Sequence, residues 1–360
     1  MDKIKVLIVD DSAVMRKALT EALTSSKNIE VVGTALDPYI AVNKIKRLEP
    51  DLLTLDIEMP RMDGITFLSK LMISHPMPVI MVSALTEEGA SKTIEALQRG
   101  AVDFVLKPRA DDKDSWKKFS EDLVEKVLTA GKTKIKKRIL NKSETEYPEI
   151  KVEKKYTADV ILPAQKSRRP AVSSETIIAI GASTGGTEAI SEILSNLSGD
   201  IPGIVIVQHM PEKFTEAFAN RVNTISELYV KEAAHGDRIN RGAVLIAPGN
   251  RHLLVKHDSK GYYVEINDGL PVNRHRPSVD VLFRSVAQTV GSKSVGIILT
   301  GMGADGAAGL LEMKEAGSTT IAQDEASSVV FGMPREAIKL GAADMVKNLK
   351  AIITYIQGIQ

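Results

Sequence analysis

With 360 residues, 43% of them hydrophobic and 26% charged, the chain is long enough for two full cores and has an ordinary soluble composition. A net charge of +1 argues against bulk nucleic-acid binding, and zero cysteines exclude disulfides, thiolate metal sites and a cysteine nucleophile. No apolar run approaches the ~20 residues of a membrane span, and MDKIKVLIVDD lacks a signal-peptide pattern. The expectation is a cytoplasmic protein without direct membrane insertion.

Residues 1–130 alternate short β-branched runs (KVLIVD, IEVVGTAL, LLTLDI, PVIMVSA, DFVLKP) with segments of helical spacing such as SAVMRKALTEAL. Five strands alternating with five helices predict a doubly wound parallel sheet. In such a sheet chemistry gathers at the carboxyl ends of the strands, where the sequence places Asp10 and Asp11, Asp56, Ser83 and Lys107. Converging carboxylates repel one another unless a hard cation sits among them, and Mg²⁺ is the natural one. Asp56 is then a candidate nucleophile toward a phosphoryl donor, with Lys107 and Ser83 placed to hold phosphoryl oxygens.

Residues 1–125 resemble the receiver domain of two-component response regulators, through IVDDS (8–12), LDIEMPRMDG (55–64), VSA (82–84) and LKP (106–108). The resemblance implies a flavodoxin-like fold with Asp56 as phospho-acceptor. It also implies Mg²⁺ held by Asp10, Asp11, Asp56 and the backbone carbonyl of Glu58. Ser83, Phe104 and Lys107 would form the phospho-switch, and Lys107–Pro108 would be a cis peptide.

The next stretch, 131–173, is Lys-rich, with 12 Lys/Arg against 5 Asp/Glu over 131–170, and lacks sustained periodicity. It reads as a basic flexible linker. From 174 to 360 strand and helix patterns resume: TIIAIGA, GIVIVQHM, GAVLIAPG, a hairpin HLLVKHDSKGYYVEIND, a helix over VDVLFRSVAQTV, then SVGIILTGMGADG. A second doubly wound parallel α/β domain, Rossmann-like with a small β-hairpin, is the expected architecture.

The turn GASTGG (181–186) follows a strand and opens a helix. As a dinucleotide fingerprint it fails, because the second glycine position is Ser183 and the next strand, GIVIVQHM, ends without an acidic residue. As a phosphate loop it fails because no GK[ST] follows. Gly181-Ala-Ser183-Thr-Gly185 is instead G-x-S-x-G in the strand–turn–helix setting that exposes a serine nucleophile. A serine needs a base, and the base an orienting carboxylate. His209 follows a strand expected beside the one ending at Ser183. His235, His252, His257 and His275 fall in loops or the hairpin. Asp305, in the Gly-rich loop after GIILT, is the leading carboxylate, and Asp237, Asp280 and Asp324 compete with it. HRPSVDVLF (275–283) is polar enough to border a site and also fits a helix cap.

A receiver joined to such a domain is similar to the chemotaxis protein-glutamate methylesterases, and IGASTGG, VQHM, HRPSVDVLF, LTGMGADG and QDEASSVVFGMP carry the likeness. It implies Ser183 as nucleophile, His209 as base, Asp305 as its partner, the Met302 amide in the oxyanion hole and Thr184 beside the site. It further implies hydrolysis of glutamate γ-methyl esters on chemotaxis receptors without a cofactor in that domain. Deamidation of receptor glutamines is the same acyl chemistry with ammonia leaving. A chemotaxis histidine kinase would be the phosphodonor, and the unphosphorylated receiver would cover Ser183. The rival fate of a receiver, DNA binding, finds no helix-turn-helix pattern here, and residues 174–360 are net acidic.

Overall fold

The structure, a computed structural model, describes residues 3–108, 112–131, 156–164 and 175–359. In the first domain β1 (Ile4–Val9), α1 (Ala13–Thr24), β2 (Ile29–Ala35), α2 (Pro38–Leu48), β3 (Leu52–Asp56), α3 (Gly64–Ser74), β4 (Val79–Ser83), α4 (Glu87–Gln98), β5 (Asp103–Leu106) and α5 (Lys113–Ala130) alternate strictly. The strands form a parallel sheet in the order β2-β1-β3-β4-β5, so the sheet reverses direction between β1 and β3, beside Asp10 and Asp56. Helices α1 to α4 each begin behind a Ser, Asp or Thr side chain (Ser12, Asp37, Asp63, Thr86) that accepts a first-turn amide.

The second domain runs β6 (Ile177–Ala182), α6 (Gly186–Ser195), β7 (Gly203–Gln208), α7 (Phe214–Asn223), β8 (Tyr229–Glu232), β9 (Ala243–Ile246), β10 (His252–Asp258), β11 (Gly261–Asn267), α8 (Val279–Thr289), β12 (Ser294–Ile298), α9 (Ala307–Glu315), β13 (Thr319–Gln323), α10 (Met333–Lys339), β14 (Met345–Lys347) and α11 (Leu349–Gln357). Seven strands form a parallel sheet ordered β14-β13-β12-β6-β7-β9-β8, and β10 with β11 makes the expected antiparallel hairpin. The reversal lies between β6 and β12, with β7 on the other flank of β6, so three loops converge on one crevice.

Within the sequence-expected linker, most of which lies outside the described residues, residues 156–164 pack on the second domain. Ala158, Ile161 and Leu162 join Leu254, Val272 and Val281 in a small apolar cluster. Arg284, almost wholly buried, reaches Asp159 at 2.8 Å, the Leu162 carbonyl at 2.9 Å and Glu312 at 2.6 Å. The Lys107–Pro108 bond departs from expectation: the cis peptide among the described residues is Arg276–Pro277.

The two domains are in contact. One apolar cluster runs through both, including Leu97 and Phe104 of the first and Ile190, Phe214 and Phe218 of the second. The rings of Phe104 and Phe214 stack with centroids 4.7 Å apart. Around them Arg221 donates to Gln98 at 3.0 Å and Lys213 lies 3.8 Å from Glu87.

Candidate active site and phosphoryl-accepting site

At the end of β3, Asp56 is buried and its Oδ2 accepts from Lys107 Nζ at 2.8 Å. Lys107 Nζ is also 3.9 Å from Asp10, while its amide donates to the Ser83 carbonyl. Carboxylate oxygens of Asp10, Asp11 and Asp56 lie within 4.8 Å of one another. Burial, and then the Asp56 charge, push the Asp10 carboxyl up to about 6; burial likewise raises Asp56. Asp10 Oδ2 is buried without a hydrogen-bond partner. A hard, all-oxygen set with an orphaned carboxylate oxygen fits a divalent cation. The Glu58 side chain turns away toward Lys92, leaving its backbone beside the cluster. Ser83 accepts from Thr93 of α4 at 2.7 Å, which ties the pocket to the helix that faces the second domain.

The second site is built by helix starts. Unlike α1 to α4, helices α6 and α9 begin behind left-handed glycines, Gly185 (φ 76°) and Gly306 (φ 92°), which have no side chain of their own to cap them. A Cβ at Gly185 would fall 2.5 Å from Val329, so this turn requires glycine twice over. The carboxylates that cap α8 and α9 are exchanged between them. Asp280, in α8, accepts from Gly306 and Gly309 at the start of α9. Asp305, just before α9, accepts from Val279 at the start of α8 at 2.7 Å and from the Ser278 hydroxyl at 2.8 Å. Asn273 bridges the pair, donating to Asp280 at 2.6 Å and Asp305 at 2.8 Å. The start of α6 carries no such carboxylate, and among the described residues the Thr184 and Met302 amides enter no hydrogen bond.

Asp305 Oδ2 also receives His209 Nε2 at 2.8 Å. Burial alone would raise Asp305; the His209 hydrogen bond, reinforced by the charges of the neighbouring histidines, holds it well below the usual carboxylate range. The exclusion is passed to Asp280, whose carboxyl is pushed up by burial and by the Asp305 charge. His209 Nδ1 is buried and unpartnered, and Ser183 Oγ makes no hydrogen bond among the described residues. Both groups line one cavity of ≈ 280 Å³. The His275 ring stacks on His209 with centroids 3.8 Å apart, and burial followed by the His209 charge lowers His275 to about 3.

The remaining wall of that cavity belongs to the first domain. Leu97, Asp103, Phe104, Asp122 and Lys126 line it, and Thr184 Oγ1 donates to Asp103 Oδ2 at 2.5 Å. The Thr129 hydroxyl of α5 contacts the Met302 sulfur.

Of the sequence-predicted residues, Ser183, Thr184 and His209 share this cavity, Asp305 stands behind His209, and Met302 meets Thr129 of the first domain. Asp237 pairs with Lys231, and Asp324 caps the turn at Ser327, so neither reaches His209. His252 is buried between Leu270 and Ser278 as a structural group. His275, in a loop as expected, packs its ring against His209. Ser278 lies in HRPSVDVLF, which the sequence marks as site-bordering or capping, and it does both through Asp305; Asn273, two residues earlier than that run, carries no signal of its own.

Fold and sites together define a two-domain α/β protein whose first domain, with its buried acidic cluster, packs over a second that carries serine, histidine and carboxylate in one crevice. Two family models match: CheB methylesterase over residues 178–356, and the response regulator receiver domain over residues 6–114. A Xanthomonas oryzae pv. oryzae protein named protein-glutamate methylesterase/protein-glutamine glutaminase 1 is 53% identical across 97% of this chain and 100% of its own length. A Geobacter metallireducens protein of the same name is 54% identical over 96% of this chain and 93% of its own. The crystal structure of the Thermotoga maritima CheB methylesterase catalytic domain matches with a TM-score of 0.50 at 40% identity, covering 51% of this chain and 98% of that domain. The chain belongs to the CheB family of receiver-linked protein-glutamate methylesterases.

Proposed function

We propose that the protein is a phosphorylation-activated serine esterase that hydrolyses glutamate γ-methyl esters on chemotaxis receptors in the cytoplasm, releasing methanol. Ser183 Oγ attacks the ester carbonyl while His209 Nδ1, the ring nitrogen left free by the Asp305 bond, takes its proton. The Met302 and Thr184 amides face the developing oxyanion. His209 returns the proton to the leaving methoxide, and methanol departs. Water activated by the same nitrogen then cleaves the acyl-enzyme to glutamate and Ser183. With a glutamine substrate the leaving group is ammonia, which accounts for a deamidase activity at the same atoms. The observation that carries this reading is the buried, ionised Asp305 on His209 beside the G-x-S-x-G turn.

In the receiver, Asp56 accepts the phosphoryl group from a chemotaxis histidine kinase or a small acyl phosphate, and Lys107 and Ser83 hold its oxygens. Asp10, Asp11, Asp56 and the Glu58 carbonyl would hold Mg²⁺, which supplies positive charge against the transferred group. The reading that the unphosphorylated receiver blocks the substrate path is supported by the contacts of Asp103 with Thr184 and of Phe104 with Phe214. The test is methanol release from methylated receptor by the full chain with a small acyl phosphate and Mg²⁺. Release that persists in Ser183→Ala contradicts the mechanism.

A further inference from the structure

We propose that Arg274 recognises a carboxylate on the residue next to the esterified glutamate, so that the site prefers esters set in acidic sequence; the inference rests on the esterase reading above. Val272 and His275 exchange backbone hydrogen bonds of 3.0 and 2.8 Å, closing Asn273 and Arg274 into a two-residue hairpin turn. Both central residues are left-handed, with φ 50° at Asn273 and 72° at Arg274. That is the pattern of a type I′ turn, whose favoured pair is Asn-Gly. Asn at the first position is explained locally: its short amide tolerates the conformation and bridges Asp280 to Asp305. Arg at the second position stands where glycine carries no strain.

The fold gives Arg274 no occupation of its own. Its side chain is exposed, and among the described residues it forms no hydrogen bond or ion pair. It lines the cavity that holds Ser183 and His209, directly before the His275 that stacks on His209. The first domain gives the same cavity two carboxylates, Asp103 and Asp122, which are occupied by Lys126 at 3.4 Å each and leave Arg274 unpaired. A neutral methyl ester offers a guanidinium no charge, whereas a flanking carboxylate offers a planar, bidentate one.

Two synthetic peptides, sharing one glutamyl γ-methyl ester and differing only in Glu or Gln as the next residue, test this with the full chain activated by acyl phosphate and Mg²⁺. The Glu peptide should show a KM about tenfold lower than the Gln peptide, with similar kcat. R274G should abolish that difference while the thermal midpoint stays level or rises, because glycine suits the turn; R274K should keep part of it. The demethylated Gln peptide should inhibit native enzyme and R274G equally, which separates a flanking carboxylate from the product carboxylate. Equal KM for both peptides in the native enzyme, or a preference surviving in R274G, overturns the proposal. So does an R274G variant that melts lower and loses both peptides alike, or product inhibition that alone depends on Arg274. Failure of the native enzyme to hydrolyse either peptide contradicts the esterase reading instead.

Discussion

Asp305 stays ionised at a depth where burial would neutralise a lone carboxyl, because the α8 amides, the Ser278 hydroxyl, Asn273 and His209 all donate to it. Asp305→Asn keeps the shape but loses the charge that fixes the His209 tautomer, so kcat should fall by roughly 10⁴, against on the order of 10⁶ for Ser183→Ala. Single-turnover kinetics on methylated receptor separates the two. His275 has the opposite chemistry. Its folded pKa, about 3, lies below the unfolded value of 6.5, so the unfolded chain binds the extra proton between those limits. Stability from this group is complete above pH 6.5 and is lost as pH falls toward 3, by at most about 1.4 kcal/mol per pH unit. His275→Gln should flatten that slope in chemical denaturation; an unchanged slope would mean another group titrates. At this scale Ser183 and His209 were legible because each ends a strand with a recognisable apolar run, as was Asp56. Asn273 was not, and although HRPSVDVLF and Asp280 stood out, the roles of Ser278 and Asp280 around Asp305 did not, since these contacts cross 25 to 32 positions of sequence and no local period encodes them.

Elements were legible where a β-branched run is buried on both faces, as in β6 and β7, each buried along its whole length. β8 and β14 are short edge strands with exposed positions, and they lack that signal. The linker segment 156–164 was hidden for a related reason: it holds Ile161 and Leu162 without any period, and only the α8–hairpin surface explains them. That segment belongs physically to the second domain. A fragment starting at residue 171 loses the Asp159–Arg284 pair and the Ala158, Ile161 and Leu162 packing, and leaves Arg284 with Glu312 alone. It should be less stable than a fragment starting at 156 by about 2–4 kcal/mol, read from urea midpoints. Equal midpoints would show that the strap contributes nothing.

Across the whole molecule, two sites share one surface. Ser83, bonded to Thr93, ties the proposed phosphoryl pocket to α4, and α4, β5 and α5 form one wall of the cavity at Ser183. Phosphorylation adds about −1.5 to −2 charges beside Lys107, which now holds Asp56. A shift that costs the closed arrangement ~1.4 kcal/mol raises the open population tenfold. Phe104→Ala removes the stack on Phe214 and should raise basal activity about 2- to 10-fold without a phosphodonor, as expected for an aromatic pair worth ~0.5–1.5 kcal/mol. The gating claim itself is tested most directly by methanol release from methylated receptor, with and without acyl phosphate and Mg²⁺, in the native chain and in Asp56→Asn. The expected result is a rise of tenfold or more in the native chain and none in Asp56→Asn. Equal rates with and without phosphodonor, or the same rise in Asp56→Asn, would contradict it.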